Sequence, residues 1–563
     1  MRLRFYLKID HVKGHDYGRL VRSVREGSRT RKITLVQLGP LTSEQIPRVK
    51  AWLATDPTLP AEPHALLSDL GQLRVRETRR YGREALGHFL WRKLELHQIV
   101  LETLAGVPGK GRVARWIETM ILNRLAEPTS KYGLLRWLDL SATPWLLDFG
   151  RSALHENLFY RAMDRLVSRQ EALERRIYQR IIRPLTSEPA ILYHDLTSSY
   201  YEGRGESLVR FGHSRDRVEG VPQVNWGMVV TPEGLPITLQ VYPGNTTDVT
   251  TVVGMRERLE RVFGVHQGIY VGDRGMISDG VEKDLTAHGF GWILAEKNDE
   301  VEEVLEAAAR LPMVAVSERN EVREVIDKEG RRHVVLVNPE RRREILEVLD
   351  HRLAEGRAIL ERVRKNWAKR PNRTPHEVLR QAWRELGEKG LSDLFEVDVD
   401  DTTIQGLLAR TKDKVRRQRR WAGWWVLTTN TELPAEEVAA RYVGLAVIEH
   451  GWRELKSVLE VRPLYHQLDR RIRAHLGICA LAYLVEKYLE LKVRAAGLTA
   501  DGRPMTGARA FEEFEGVAIN AAELATTRLS RLIVTELRPE HRAILRAVKI
   551  DPEAFHEGWR RLD

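Results

Sequence analysis

A single cysteine, Cys479, stands among 563 residues, so no intrachain disulfide and no multi-thiolate metal site can be built within this chain. That scarcity fits a reducing compartment and a core held by apolar packing. Long apolar runs are missing too: no stretch reaches the ~18–20 residues that a membrane-spanning helix needs, and no membrane partner is expected. The opening segment MRLRFYLKIDHVKG carries charges on both sides of a short apolar interval and lacks a small-residue cleavage site, which predicts a cytoplasmic rather than a secreted protein. The histidines are scattered rather than clustered, which disfavours zinc chemistry.

What is present describes a soluble globular chain, with 42% hydrophobic and 30% charged residues. Its length exceeds what one core serves and predicts about two to four domains. Lys and Arg total 90 against 79 for Asp and Glu, and the resulting net charge of +11 points to a polyanionic partner.

Along the chain the patterning changes character several times. Residues 1–75 open with alternating segments, RLRFYLKI, YGRLVRSV and RKITLVQLG, that predict a small antiparallel sheet, and they continue into a Pro-rich connector around DPTLPAEP. Residues 76–188 are helical in pattern. Around Leu125–Ser130 two helices joined by a short turn carry Arg112, Arg115, Arg124, Lys131 and Arg136, and this reads either as a helix-turn-helix surface or as a plain bundle with a basic rim. In residues 189–310, Ile191, Leu192 and Tyr193 lead into Asp195, and Ile269, Tyr270 and Val271 lead into Asp273. Between them, two apolar segments flank Thr231-Pro232-Glu233-Gly234, a hairpin turn. Residues 311–430 are too many for a structureless loop, so their strand-like segments and long charged helix predict an inserted domain.

Near the end of that interval Lys414, Arg416, Arg417, Arg419 and Arg420 abut Trp421, Trp424 and Trp425. Guanidinium groups neutralise phosphates and indole faces stack on unpaired bases. Alternation assigns Trp425 to the core and leaves Trp421 and Trp424 as stacking candidates. Residues 431–495 include PAEEVAARYVGLAVIEHGWRELKSVLEV, 434–461, predicted as one amphipathic helix. Tyr442, Glu449 and Lys456 are spaced by heptads, which drift only about 20° each, so one face holds all three. An apolar helix follows, and residues 496–563 form a helical tail.

A carboxylate just past a buried strand is costly unless paired or metal-bound. Either aspartate alone reads as a structural cap; two of them with a later glutamate helix suggest a divalent-metal site. His194, on the opposite side of its strand from Asp195, reads as structural.

The segments HDLTSSYYEG and YVGDRGMIS, with the spacing Tyr442, Leu445, Glu449, Lys456, resemble the three signatures of DDE-type insertion-sequence transposases. The resemblance is to the branch with a β-strand insertion before a glutamate helix of pattern Tyr, Arg, Glu, Lys. Leu445 stands where that pattern has Arg, and Arg453 is the candidate to replace its phosphate contact. Similarity extends through residues 222–248, 316–325 and 455–466.

The resemblance implies an α/β fold: a ribonuclease-H-like catalytic domain with a mixed five-stranded sheet flanked by helices, interrupted by a β-rich insertion domain, with a mainly helical N-terminal DNA-binding region. It implies two Mg²⁺ (or Mn²⁺) ions, Asp195 shared between them and Asp273 and Glu449 binding one each. Tyr442 and Lys456 would hold phosphates, Arg416, Arg417, Arg419 and Arg420 would contact the DNA backbone, and Trp421 or Trp424 would stack a flipped base. The implied partners are double-stranded DNA, as transposon ends and as target, and a second copy of the chain in an active homodimer, in a prokaryotic cytoplasm close to the nucleoid. The implied reaction cuts the ends of an element at its terminal inverted repeats and transfers the 3′ ends. A stand-alone nuclease of the same fold and a degenerate transposase acting as a DNA-binding regulator remain as alternatives.

Overall fold

A computed structural model of the chain describes residues 6–12, 15–26, 29–43, 45–47, 49–50, 73–150, 154–186, 191–216, 218, 220–297, 301–312, 314–315, 320–370, 372–399, 404–407, 409–524 and 530–557. The connector around DPTLPAEP lies outside them. The chain divides into two compact units, one of residues 1–177, 203–206 and 453–563, the other of residues 178–202 and 207–452.

The first unit opens with β1 (Tyr6–Val12), β2 (His15–Glu26) and β3 (Arg29–Leu41), an antiparallel sheet in that order. After β4 (Leu73–Arg80) come α1 (Gly82–Lys93), α2 (Leu96–Thr103) and α3 (Lys110–Ala126). Helix α3 buries Ile117, Met120, Ile121 and Leu125, the spacing of an apolar stripe that faces a core. The basic rim expected here is smaller than the sequence suggests, because Arg124 and Lys131 are both buried. The Arg124 guanidinium donates to the carbonyls of Leu459 and Glu460, 3.2 Å each, and to that of Thr129. Burial, followed by the charge of Arg124, pushes the Lys131 ammonium down to about 7.

The second unit is built on a nine-stranded mixed sheet. Its elements are β5 (Ile191–Tyr200), β6 (Gln223–Val230), β7 (Pro236–Pro243), α4 (Val249–Phe263), β8 (Gly268–Gly272), α5 (Asp279–Ala287), β9 (Phe290–Glu296), α6 (Glu302–Ala309), β10 (Val314–Ala315), β11 (Glu321–Ile326), β12 (Arg332–Val337), α7 (Pro339–Ala368), α8 (Pro375–Glu388), β13 (Glu396–Val399), β14 (Ile404–Leu407), α9 (Ala409–Arg420) and β15 (Trp424–Thr429). The strand order is β10-β11-β12-β15-β9-β8-β5-β6-β7. Strands β5, β6 and β7 form an antiparallel meander, β8 lies parallel to β5, and β9 lies parallel to β8. The hairpin between β6 and β7 turns at Gly234, whose φ of 83° suits a residue without a side chain.

Nine strands replace the five expected. Most of the inserted strands extend the same sheet: β15 pairs antiparallel with β9, and β12, β11 and β10 follow outward, while β13 and β14 pair only with each other. This pairing covers the edge that β9 would otherwise leave open. Between β12 and β15, helices α7 and α8 enclose a small core of their own around Leu353, Ile359, Val363, Trp367, Val378, Leu386 and Phe395. Their starts are written locally. Asn338 caps α7 ahead of Pro339, and Thr374 with Glu377 forms a capping box ahead of α8.

The segment expected as one helix over 434–461 is three pieces: α10 (Ala435–Val443), α11 (Ala446–Arg453) and a π-helical turn, Glu454–Val458. At the first junction the backbone tightens to i→i−3 bonds, Leu445 to Tyr442 and Val447 to Gly444. Gly444 stands at this junction, and the Tyr193 hydroxyl packs so closely against it that an added Cβ would lie 2.1 Å away. The heptad face is thus interrupted between Tyr442 and Glu449, and again before Lys456.

The chain then returns to the first unit. Helix α12 (Asp469–Ala495) is buried along most of its length and encloses Cys479. Strands β16 (Ala518–Leu524) and β17 (Ser530–Val534) add to β4 in the order β17-β16-β4, tying the two ends of that unit together. Among the described residues, no helix is long and apolar enough to cross a membrane.

Candidate active site

Strands β5 and β8 pair in parallel, with Ile191 opposite Ile269 and Tyr193 opposite Val271. Strand β8 then ends at Gly272, while β5 runs on to Tyr200. Asp195 and Asp273 each stand two positions past the last pair. Asp195 is still on β5 and Asp273 is the first residue past β8, and they lie close enough for the charge of Asp273 to act on Asp195. Asp195 therefore lies within its strand rather than at the strand's end, at the point where its parallel neighbour stops.

The two carboxylates are held differently. Asp195 Oδ1 accepts from the Leu196 amide at 2.7 Å, and Oδ2 accepts from the Trp452 indole N–H at 2.7 Å. Trp452 is itself fixed edge-on to Trp226, with ring centroids 4.8 Å apart. Burial pushes the Asp195 carboxyl up to about 6; the charge of Asp273 adds to this, while the bonds from Trp452 and Leu196 and the charge of Arg215 oppose it. Asp273 is exposed, and its Oδ1 accepts from the Tyr442 hydroxyl at 3.1 Å. Burial first, then Asp273, raises that phenol well above its ordinary range.

Glu449 is exposed on α11, and its charge acts on Tyr442. The structure thus brings Asp195, Asp273 and Tyr442 together and leaves the Glu449 side chain outside their hydrogen bonds. Among the described residues, no group of three or more His, Cys, Asp or Glu is gathered to hold a metal ion. The aspartate pair nonetheless fits a hard divalent cation. It offers oxygen donors from neighbouring strands, and the mutual repulsion that helps raise Asp195 is the kind a bound cation relieves. His194 is fully buried, bonds Tyr270 through Nδ1, and is pushed down to about 3 by burial, so it serves the core.

The basic and aromatic run divides. Trp421, not Trp425, is the core residue: it is 5% exposed and packs edge-on to Trp424, with Arg420 stacked on its ring. That leaves no free indole face on Trp421 for a base. Trp424 and Trp425 are half-buried, and the ring of Trp424 lies under Arg323. Arg416, Arg417, Arg419 and Arg420 are exposed and pair with Asp413, Glu302, Asp350 and Glu306. A groove of about 1290 Å³ runs along this surface, and its walls include Arg274, Lys297, Lys414, Arg417, Trp424 and Trp425. Arg274 directly follows Asp273. Arg453 and Lys456 belong to the first unit, Arg453 exposed and Lys456 half-buried on the π-helical turn.

Three residues at the site escape a reading of the sequence. Trp452 lies three positions past Glu449 and carried a signal in its spacing. Asp248, ahead of α4, looks like an ordinary helix cap, and Arg215 sits in a polar loop without periodicity.

Residues 187–485, more than half of the chain, match the family described as "Transposase DDE domain". No curated protein matches. Among solved structures, the piggyBac transposase synaptic complex with hairpin DNA, determined by electron cryomicroscopy, is similar at 9% identity over 86% of each chain, with a TM-score of 0.37, too low for an argument to rest on.

Proposed function

The chain belongs to the DDE-domain transposases, and from that premise we propose that it binds the terminal inverted repeats of an insertion sequence, cleaves the element's ends and joins the 3′ ends to target DNA. The observation that carries the site assignment is the side-by-side placement of Asp195 and Asp273, one bonded by Trp452 and the other by Tyr442.

In this reading, strands β5 to β9 form a ribonuclease-H-like core whose edge the inserted strands extend. Asp195, Asp273 and Glu449 would hold two Mg²⁺ or Mn²⁺ ions. The bound ions would supply charge neutralisation at the attacking and leaving oxygens. Trp452 fixes the direction in which Asp195 presents its second oxygen, and Tyr442 does the same for Asp273. A water oxygen bonds to phosphorus as the bond to the 3′ oxygen breaks; the freed 3′ hydroxyl later attacks a target phosphodiester in the same sense. Lys456 and Arg453 hold backbone phosphates, and the groove past Arg274 takes DNA along its basic wall, with Trp424 as the stacking candidate that remains. The active form is a homodimer acting in a prokaryotic cytoplasm.

The test is incubation with DNA that flanks the protein's own gene, in Mg²⁺. Cuts at inverted repeats are expected, and they are lost in Asp195→Asn, Asp273→Asn and Glu449→Gln while end binding survives. Cleavage near the wild-type rate in any one variant removes that residue from the site, and cleavage without preference for the repeats favours a stand-alone nuclease.

A further inference from the structure

Asp248 precedes the first turn of α4 but caps nothing, since its side chain accepts from none of the turn's amides. The carboxylate is turned elsewhere. One oxygen pairs with Arg215, and the other lies against Gly275, where an added Cβ would sit 2.7 Å away. Gly275 is two residues past Asp273, in a turn closed by the bond from the Met276 amide to the Asp273 carbonyl, 2.9 Å.

Arg215 is anchored just as firmly on the other side. Its amide donates to Ser198 Oγ at 2.9 Å, and Ser198 is fully buried on β5 three residues past Asp195. The next residue, Asp216, accepts from the Tyr200 amide of the same strand at 3.3 Å. Strand β5 is therefore bonded to the Arg215 loop and the loop to Asp248, whose carboxylate packs against the turn that carries Asp273.

That link answers a mechanical problem. Past Gly272 the chain leaves the sheet, so no ladder bond fixes Asp273, and the like charge of Asp195 drives it away. A divalent cation needs its oxygen ligands placed to within about 0.5 Å.

We propose that Arg215 and Asp248 are a positioning pair that sets the spacing of Asp195 and Asp273, and so the affinity of the site for a divalent cation; this rests on the assignment of those aspartates as metal ligands. Neither residue bonds to Asp195 or Asp273, although the charge of Arg215 acts on Asp195. Gly275 belongs to the same device, because any side chain there displaces Asp248.

The experiment is Mn²⁺ binding to the full-length protein without DNA, followed by loss of the free-ion electron paramagnetic resonance signal, so that no turnover is involved. Asp195→Asn serves as the reference that should abolish tight binding. Arg215→Ala, Asp248→Asn and Gly275→Ala should each weaken binding by about 10- to 100-fold, the range seen when groups that orient metal ligands are removed, with Arg215→Lys recovering most of it. Gly275→Ala keeps both charged residues, so it separates positioning from loss of charge. Wild-type affinity in Arg215→Ala and Asp248→Asn, with binding abolished in Asp195→Asn, overturns the positioning role and leaves the metal site standing. Equal binding by wild type and Asp195→Asn removes the metal site and the positioning pair together.

Discussion

Trp452→Phe isolates one bond at the site. Phenylalanine keeps an aromatic ring against Trp226 but removes the indole N–H that Asp195 Oδ2 accepts at 2.7 Å. A hydrogen bond to a charged group contributes ~1.5–3 kcal/mol, against ~0.5–1.5 kcal/mol for a neutral one. The Asp195 carboxyl is raised from 3.8 to about 6 in the folded protein, so between those values the folded state holds a proton that the unfolded chain has released. Stability from this group is fully present below pH ~4, falls as pH rises toward ~6, and is flat above it. Removing the indole raises the carboxyl further, because the bond favours its ionised form. The variant should therefore lose ~1.5–3 kcal/mol at pH 8, where wild-type Asp195 is charged, and roughly 1 kcal/mol less than that at pH 4, where it is neutral in both proteins. Urea unfolding followed by circular dichroism at the two pH values, with EDTA present to remove divalent ions, measures the difference. An equal loss at both, or a larger one at pH 4, refutes a bond from Trp452 to an ionised Asp195.

Lys131→Met should stabilise the protein near neutral pH. The buried ammonium sits at about 7 where 10.5 is ordinary, a standing cost of about 5 kcal/mol at 1.36 kcal/mol per unit. Because the unfolded chain binds the extra proton between those values, wild-type stability rises with pH across the window, so the gain in melting temperature should shrink by pH 10; a gain constant with pH contradicts a buried, depressed lysine. Gly444→Ala drives a methyl group into the Tyr193 hydroxyl and should cost ~1–3 kcal/mol in thermal melting, partly relieved in a double variant with Tyr193→Phe; additive losses would place the clash elsewhere. Replacing Arg416, Arg417, Arg419 and Arg420 by Gln should weaken DNA binding and flatten its salt dependence by ~0.9 in logarithmic slope for each phosphate that is no longer neutralised. An unchanged slope assigns the four to their ion pairs alone.

The aspartates were legible because the cost of a carboxylate beside a buried strand is local: Ile191-Leu192-Tyr193 and Ile269-Tyr270-Val271 state what they bury, and each aspartate follows two positions after the last apolar residue. The β6–β7 hairpin and the capped starts of α7 and α8 were local in the same sense. What the sequence hid are interactions whose other half lies far along the chain. A heptad face from Tyr442 to Lys456 is consistent with one helix, and nothing in that segment tells of the Tyr193 hydroxyl, from a distant strand, that packs on Gly444 where the helix breaks. Alternation through Trp421, Trp424 and Trp425 gives the wrong core residue because Gly423, at φ 73°, resets the phase between α9 and β15. Arg124 and Lys131 look solvated on a helical pattern, yet Arg124 is buried with carbonyls more than three hundred residues away as acceptors. Strands β10 to β12 carry the same pattern whether they close a sheet of their own or lengthen the one on which Asp195 lies, since pairing partners leave no mark in either segment alone. Arg215 and Asp248 are the extreme case. One sits in a polar loop and the other in a cap-like position, and their ion pair beside the Gly275 turn leaves no mark in either segment alone, because each half of it is an ordinary surface charge until the fold joins them.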